Sequence, residues 1–466
     1  LALRTATDSV EQVRYYLDGT GGGTVLVDNV KIYTEAAFID AAPQPTFDPR
    51  SYGAVGDGVT NDAVAIQQAI DAAAGTGGSV VLSGGTFLSG SLTLKSQMTF
   101  FIAPSATLLG STNVADYPAQ TPSTGNTQLS NCQRALLYAP ATSGLRIDGG
   151  GTIDGQGDAF TGVENTRPLL IWAVLSDHVT IANVFLKKGA VWSLVSMESD
   201  HVVISNVNVQ SNNITHDGID IVDGTDITVD DVAVRSGDDA MCLKTGVRHG
   251  IQTMTVKNSL FAGDNGGSNG IKFGTATYGG FHDITIEDSY VKDVQYAAMA
   301  VESRQGADVA DVAFDRIQFD HTGGAFFVYL AQQATTHPIG DVPKLGSIDH
   351  VTFTDVLGTT SSYANSPHQG SLITGHIFNA VTYPITNLVF TNVSVAFTGG
   401  LATIPASPVE AMPDQYPESN MFGDLPAWAY YLRHATATFT NCTSTAQATD
   451  ARPKLATDDA TVTGTP

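Results

Sequence analysis

VTIANVFL (Val179–Leu186) returns as VVISNVNV (Val202–Val209), ITVDDVAV (Ile227–Val234), MTVKNSLF (Met254–Phe261) and ITIEDSYV (Ile284–Val291). Each octet alternates apolar and polar residues around a central Asn or Asp. The series continues through VAFDRIQF (Val312–Phe319), VTFTDVLG (Val351–Gly358), LVFTNVSV (Leu388–Val395) and ATFTNCTS (Ala437–Ser444). Successive starts lie 23, 25, 27, 30, 28, 39, 37 and 49 residues apart. The early gaps fit one coil per repeat, and the later ones leave room for loops. Short β-branched strands at a steady period, punctuated by Gly and Asn, read as a solenoid. A β-propeller has a period of about 40–45 residues per four-stranded blade, too long for the early spacings. The expected fold is all-β: a right-handed, single-stranded parallel β-helix with a short amino-terminal β segment.

Composition supports this reading. Of 466 residues only 15% are charged, 47 are Gly, and helical periodicity is nearly absent. One helix is expected, with Asn61–Asp62 as its cap, AVAIQQAIDAAA (Ala63–Ala74) as its body and Gly75 at its end. It would close the amino-terminal end of the solenoid, where strand edges need cover. Ahead of it, GTVLVDNVKIY (Gly23–Tyr33) reads as a strand. Residues 1–38 are too few to fold alone as a β-sandwich module, and are expected to be the remnant of a carbohydrate-binding one. Residues 39–48 read as a linker, and 49–466 as the β-helix.

The formal charge of −24 argues against nucleic acid or an anionic membrane as partner. No apolar run is long enough to span a bilayer, and no signal-peptide pattern opens the sequence. Cys132, Cys242 and Cys442 lack the spacing of a metal site. Cys242 reads as a small buried hydrophobe, and a Cys132–Cys442 bridge is open. No metal and no cofactor are expected.

The chemistry concentrates at Asp217 and the pair Asp238–Asp239, 21 residues on. In a stacked-coil fold, residues one repeat apart lie about 4.8 Å apart along the stack. The gap would collapse into a cluster of three carboxylates, and crowding would raise the pKa of at least one. Glycoside hydrolysis needs such a split, with a protonated carboxyl to donate to the leaving oxygen and an ionised one to activate water. The cluster does not reveal which member donates the proton, nor whether configuration is inverted or retained.

FDPRSYGAVGDGVTNDAVAIQQAIDAA (Phe47–Ala73), GTIDGQG (Gly151–Gly157), DGIDI (Asp217–Ile221) and SGDDAMCLKTG (Ser236–Gly246) resemble glycoside hydrolase family 28, the polygalacturonases and rhamnogalacturonases. NGIKFGTATYGGFHDITI (Asn269–Ile286), PESNMFGDLPAWAYYLRH (Pro417–His434) and DARPKLATDD (Asp450–Asp459) resemble its bacterial branches. The likeness runs over roughly residues 48–460. It implies an inverting hydrolase with Asp238 as general acid and Asp217 and Asp239 holding the attacking water.

The sequence also departs from that family. Thr215–His216–Asp217 stands in place of Asn-Thr-Asp, and Ser268–Asn269–Gly270 in place of Gly-His-Gly. Ala300–Val301–Glu302 stands in place of the Arg-Ile-Lys that grips a galacturonate carboxylate. Each ionic hydrogen bond lost there is worth about 1.5–3 kcal/mol, so a uronate is disfavoured in that subsite. Lys272, Lys244, Arg248, His249, Arg304, His216 and Asn269 are polar candidates to rebuild the site, with Glu302 as a contact of opposite sign. Trp192 and Tyr278 are candidate sugar platforms.

The expected activity is an extracellular glycoside hydrolase, most simply of a pectic polysaccharide or its oligosaccharides, acting as a monomer. A neutral α-glycan is the competing substrate. A β-helical polysaccharide lyase and a non-catalytic glycan-binding solenoid are the alternatives.

Overall fold

The structure is a computed structural model. It describes residues 39–126, 129, 132–162, 166–211, 216–247, 249–264, 267–332, 345–410 and 416–466, with two short strands at 5–6 and 9–10. Those two strands pair antiparallel. The strand expected over Gly23–Tyr33 lies outside the described residues.

From residue 46 onward the chain winds as a right-handed parallel β-helix, each coil laying up to three strands onto the coil before. Seven of the nine octets prove to be two strands rather than one, while Ile284–Val291 and Val312–Phe319 run within single long strands. Asp177–Ala182 and Phe185–Lys187 flank Asn183, whose φ is +55°. Asn206, Asp231, Asn258, Asp288, Asp355, Asn392 and Asn441 repeat that left-handed bend with φ between 48° and 55°. Asn and Asp tolerate this conformation better than other residues with a Cβ. Several are also stitched coil to coil: Asn206 Nδ2 donates to Asn183 Oδ1 at 2.7 Å, and Asn183 Nδ2 to Asp148 Oδ1 at 2.7 Å. The sequon-like Asn392 and Asn441 belong to this ladder, whereas Asn213 lies outside the described residues.

Apolar residues on either side of the bend face inward. One inward column runs Phe100, Ile147, Ile181, Ile204, Val229, Val256, Ile286, Phe314, Phe353, Phe390, Phe439 in strict register. The last four rings stack face to face, at centroid separations of 5.1, 5.0 and 4.6 Å.

The expected helix is present as α1 (Ala63–Ala73), burying Ala65, Ile66, Ala69, Ile70 and Ala73 against the first coils. Asp62 does not cap it. Its carboxylate accepts from Val55 N and Gly56 N, while Asn61 Oδ1 accepts from Ala63 N. The stretch read as a linker is packed, because Thr46 and Phe47 pair with Ser79 and Val80 and Ala42 is buried. Ala42 packs on Val81, Phe101 and Ala103. No disulfide joins Cys132 and Cys442.

Candidate active site

Six strands build one outward face: β1 (Leu194–Met197), β2 (Ile219–Val222), β3 (Met241–Thr245), β4 (Ile271–Thr277), β5 (Phe281–Ser303) and β6 (Asp308–Leu330). Register aligns Val195, Asp220, Cys242, Lys272, Ala300 and Phe327 in a single outward column. Just before these strands, backbone hydrogen bonds stack Asp217, Asp239, Asn269 and Ala297 one above another. Asp238 precedes Asp239 in the same turn. The oxygens of Asp217, Asp238 and Asp239 thereby come within 4.8 Å of one another.

Two lysines brace the cluster. Lys244 Nζ donates to Asp217 Oδ2 at 2.8 Å and to Asp220 Oδ1, and sits 4.2 Å from the Trp192 ring centroid. Lys272 Nζ lies 3.5 Å from Asp239 Oδ2, 3.8 Å from Glu302 Oε1 and 3.0 Å from Glu418 Oε1. Asn269 donates both its backbone N (3.0 Å) and its Nδ2 (2.8 Å) to Asp239 Oδ1. Asp217 and Asp239 are therefore pinned, one by an ammonium and the other by an amide. Asp238 is the most open of the three.

Burial, then the charges of Asp217 and Asp239, push the Asp238 carboxyl up to about 7. Glu302, fully buried with neither oxygen hydrogen-bonded, is pushed by burial to about 8. Burial likewise raises Asp220 and Glu418. Burial works against both ammonium charges, but adjacent carboxylates outweigh it and keep Lys244 and Lys272 protonated.

The carboxylate triplet and the Asp217–Asp220–Cys242 group have the spacing to hold a cation. The Lys244 ammonium already occupies the place between Asp217 and Asp220.

The pattern of a pinned pair beside one protonated carboxyl matches a wider likeness. Residues 77–394, more than half the chain, match the model of "Glycosyl hydrolases family 28". The chain belongs to that family.

An exo-poly-alpha-D-galacturonosidase of Dickeya chrysanthemi is 36% identical over 179 residues, covering 36% of this chain and 28% of that protein. The plasmin and fibronectin-binding protein A of Streptococcus pneumoniae is 34% identical over 146 residues, covering 30% of this chain and 20% of that protein. The chain thus spans less than a third of the length of these curated relatives. The family 28 exopolygalacturonase of Yersinia enterocolitica superposes with a TM-score of 0.69 at 19% identity, over 91% of this chain and 78% of that one.

Within this family 28 chain, the residues singled out from sequence fall into two groups. Asp217, Asp238, Asp239, Asn269, Lys272, Lys244, Glu302 and Trp192 assemble around the carboxylates. Of the other candidates, His249 is exposed and three more make contacts of their own. His216 is buried with Nδ1 3.0 Å from Ser211 Oγ, and burial pulls it down to about 4, so it is neutral. Tyr278 accepts from Gln305 Nε2 at 3.1 Å. Arg304 is buried, with its backbone N on Thr277 Oγ1. Arg248 and Thr215 lie outside the described residues.

Sequence reasoning missed Tyr416 and Glu418. Glu418 lies 149 residues beyond Asn269, yet its Oε2 accepts from Asn269 Nδ2 at 3.0 Å. The Tyr416 ring centroid lies 5.0 Å from Lys272 Nζ, and its hydroxyl accepts from Thr275 Oγ1 at 2.9 Å. The signal available was PESNMFGD (Pro417–Asp424), which opens a family-like stretch but has no repeat period to place it. A surface cavity among Asp231, Asn258, Asp288 and Arg316 includes none of the three carboxylates.

Proposed function

We propose that the chain is an extracellular glycoside hydrolase that cleaves a pectic polysaccharide or its oligosaccharides, working as a monomer. One observation carries this reading: Asp238 stands beside two carboxylates held in fixed positions, where burial and their charges push its carboxyl up. Asp238 is the general acid, protonating the glycosidic oxygen as the bond to the anomeric carbon breaks. Asp217 and Asp239 hold the water, and one of them takes its proton as the new C–O bond forms. The oxygen of water enters the sugar, the leaving hydroxyl carries the Asp238 proton, and no net charge is created. Acid catalysis of this kind contributes about 10²–10⁴-fold.

Carboxyl groups of inverting enzymes are generally about 6.5–9.5 Å apart, against about 5–5.5 Å in retaining ones. The oxygens here, within 4.8 Å, are closer than either. Inversion is favoured by the family and by the anchoring of Asp217 and Asp239. A nucleophilic carboxylate must be free to bond carbon, whereas a pinned pair suits holding water. Proton NMR of the first product anomer decides between the two outcomes.

No helix among the described residues is long and apolar enough to cross a membrane. The relative that binds plasmin and fibronectin favours one second reading, a solenoid that binds without catalysis. A pure binder has no use for a carboxyl tuned in this way.

Reducing-end release from rhamnogalacturonan, polygalacturonan, α-glucan and α-galactan tests both readings. Release from one substrate, reduced at least 10³-fold in Asp238→Asn with folding intact, is expected. Full activity in that variant removes Asp238 from the mechanism, and silence of the native protein across the panel favours the binder. A lyase would instead release unsaturated products that absorb in the near ultraviolet.

A further inference from the structure

Lys272 is the cation of the site sheet nearest to Asp239 on the side away from Trp192. A lysine there would be an obvious hook for a sugar carboxylate, but it is 0% exposed. A segment from far along the chain covers it. Glu418 Oε1 takes the ammonium at 3.0 Å, and Glu418 Oε2 takes Asn269 Nδ2 at 3.0 Å. Beneath, Glu302 lies 3.8 Å away and is itself fully buried. Beside them Tyr416 is an exposed residue, with its hydroxyl anchored on Thr275. This corner therefore shows solvent an aromatic face and the outer edge of a carboxylate, and withholds its positive charge.

We propose that Glu418 is a specificity residue: it occupies Lys272 so that the subsite bordered by Tyr416 takes a neutral sugar and rejects a uronate. This rests on the hydrolase reading above and names the substrate class of one subsite within it. The physical reason is competition for one ammonium. A uronate entering beside Tyr416 would have to displace Glu418 from Lys272 and Asn269, leaving a second carboxylate in a poorly hydrated corner. A charge buried without a partner is strongly disfavoured. A neutral sugar has no such conflict, since its ring can lie on Tyr416 and its hydroxyls can donate to Glu418. Rejection by a like charge is as effective a route to selectivity as attraction.

The test uses binding, so that it stands apart from turnover. The full chain carrying Asp238→Asn is titrated calorimetrically with tri-galacturonate and with its carboxyl-reduced, neutral counterpart. Adding Glu418→Ala, which uncovers Lys272, is expected to improve tri-galacturonate affinity at least tenfold relative to the neutral trisaccharide. Glu418→Gln, which keeps the side-chain shape and a contact to Asn269, should move the ratio the same way by a smaller factor; it serves if the Ala variant fails to fold. Tyr416→Ala should weaken both ligands by a similar factor, because stacking ignores the carboxylate. An unchanged affinity ratio in the folded Glu418 variants overturns the proposal, as does a shift toward the neutral ligand. Absence of reducing-end release by the native protein would overturn the hydrolase reading and leave this ratio readable.

Discussion

Two columns of side chains run along the same coils and differ in everything but register. The inward one, from Phe100 to Phe439, holds one kind of chemistry for eleven positions, aliphatic from Ile147 to Ile286 and then stacked aromatic. The outward one begins with Trp172 and Val195, turns to Asp220, Cys242 and Lys272, and returns to Ala300, Phe327 and Leu372. Asp220 and Lys272 are as buried as the phenylalanines. A parallel β-helix makes every residue a neighbour of its counterpart one coil away, so uniform columns stabilise it by stacking like on like. A column that breaks to charge gives up that gain and must satisfy its ions locally. The break falls beside Asp217, Asp238 and Asp239, which identifies it as a part of the molecule shaped by chemistry rather than by packing.

The largest effect should come from removing the ion that neutralises Asp220 of the broken column, the ammonium of Lys244 beside it. Lys244→Met leaves Asp217 and Asp220 buried without their cation, and removing one partner of a buried pair costs about 3–5 kcal/mol. Phe353→Leu in the uniform column keeps the chemistry and most of the volume, and should cost under about 1.5 kcal/mol. Urea unfolding of the two variants measures the contrast. Equal costs would mean that the outward charges are no more coupled than an ordinary core residue. Lys244→Met should also depress turnover, because Asp217 loses the contact that fixes it.

The next effect depends on pH. Glu302 has its carboxyl raised from 4.5 to about 8 by burial. Between those values the unfolded chain has released this proton while the folded one still holds it, so stability falls as pH rises. The contribution is fully present below pH 4.5 and gone above pH 8. A single such group gives a slope of about 1.4 kcal/mol per pH unit at most. Glu302→Gln has no proton to lose. Its melting temperature should gain on the native protein steadily from pH 5 to pH 8 and then run parallel. A constant difference across that range would show that Glu302 is ionised in the folded state. No inward column position offers a comparable titration.

The same contrast explains what could be read from the sequence. The uniform columns were legible because each repeat restates them, and the octets alone gave the β-helix, while Asn61–Gly75 gave the helix that closes its end. The Asp217 to Asp239 cluster was legible because its members lie one coil apart, so period converts directly into distance. Division of most octets into two strands was not, because alternation continues through the Asn bend and only the φ of Asn183 or Asn206 reveals it. Glu418 and Tyr416 were not legible either. They reach the site from a long connection between later coils, where period no longer fixes position. The direction of the His216 side chain was not legible either: the residue immediately precedes Asp217 in the chain, but its ring turns to Ser211.

The smallest expected effect concerns the bend ladder, which stands between the two columns in character: polar like the outward one, uniform like the inward one. Asn206 takes φ of +50° and passes one amide hydrogen bond to Asn183. Asn206→Gly keeps the bend at no steric cost but loses the bond, which is worth about 0.5–1.5 kcal/mol. Asn206→Ala loses the bond and adds the strain of a Cβ in the left-handed region, a further 1 kcal/mol or so. The order expected in urea unfolding is native, then Gly, then Ala, with activity unchanged throughout because the ladder lies away from the carboxylates. If Ala proved as stable as Gly, the bend would owe its Asn to hydrogen bonding alone. If Gly exceeded the native protein, the amide ladder would contribute nothing and conformation alone would explain the Asn at the centre of these repeats.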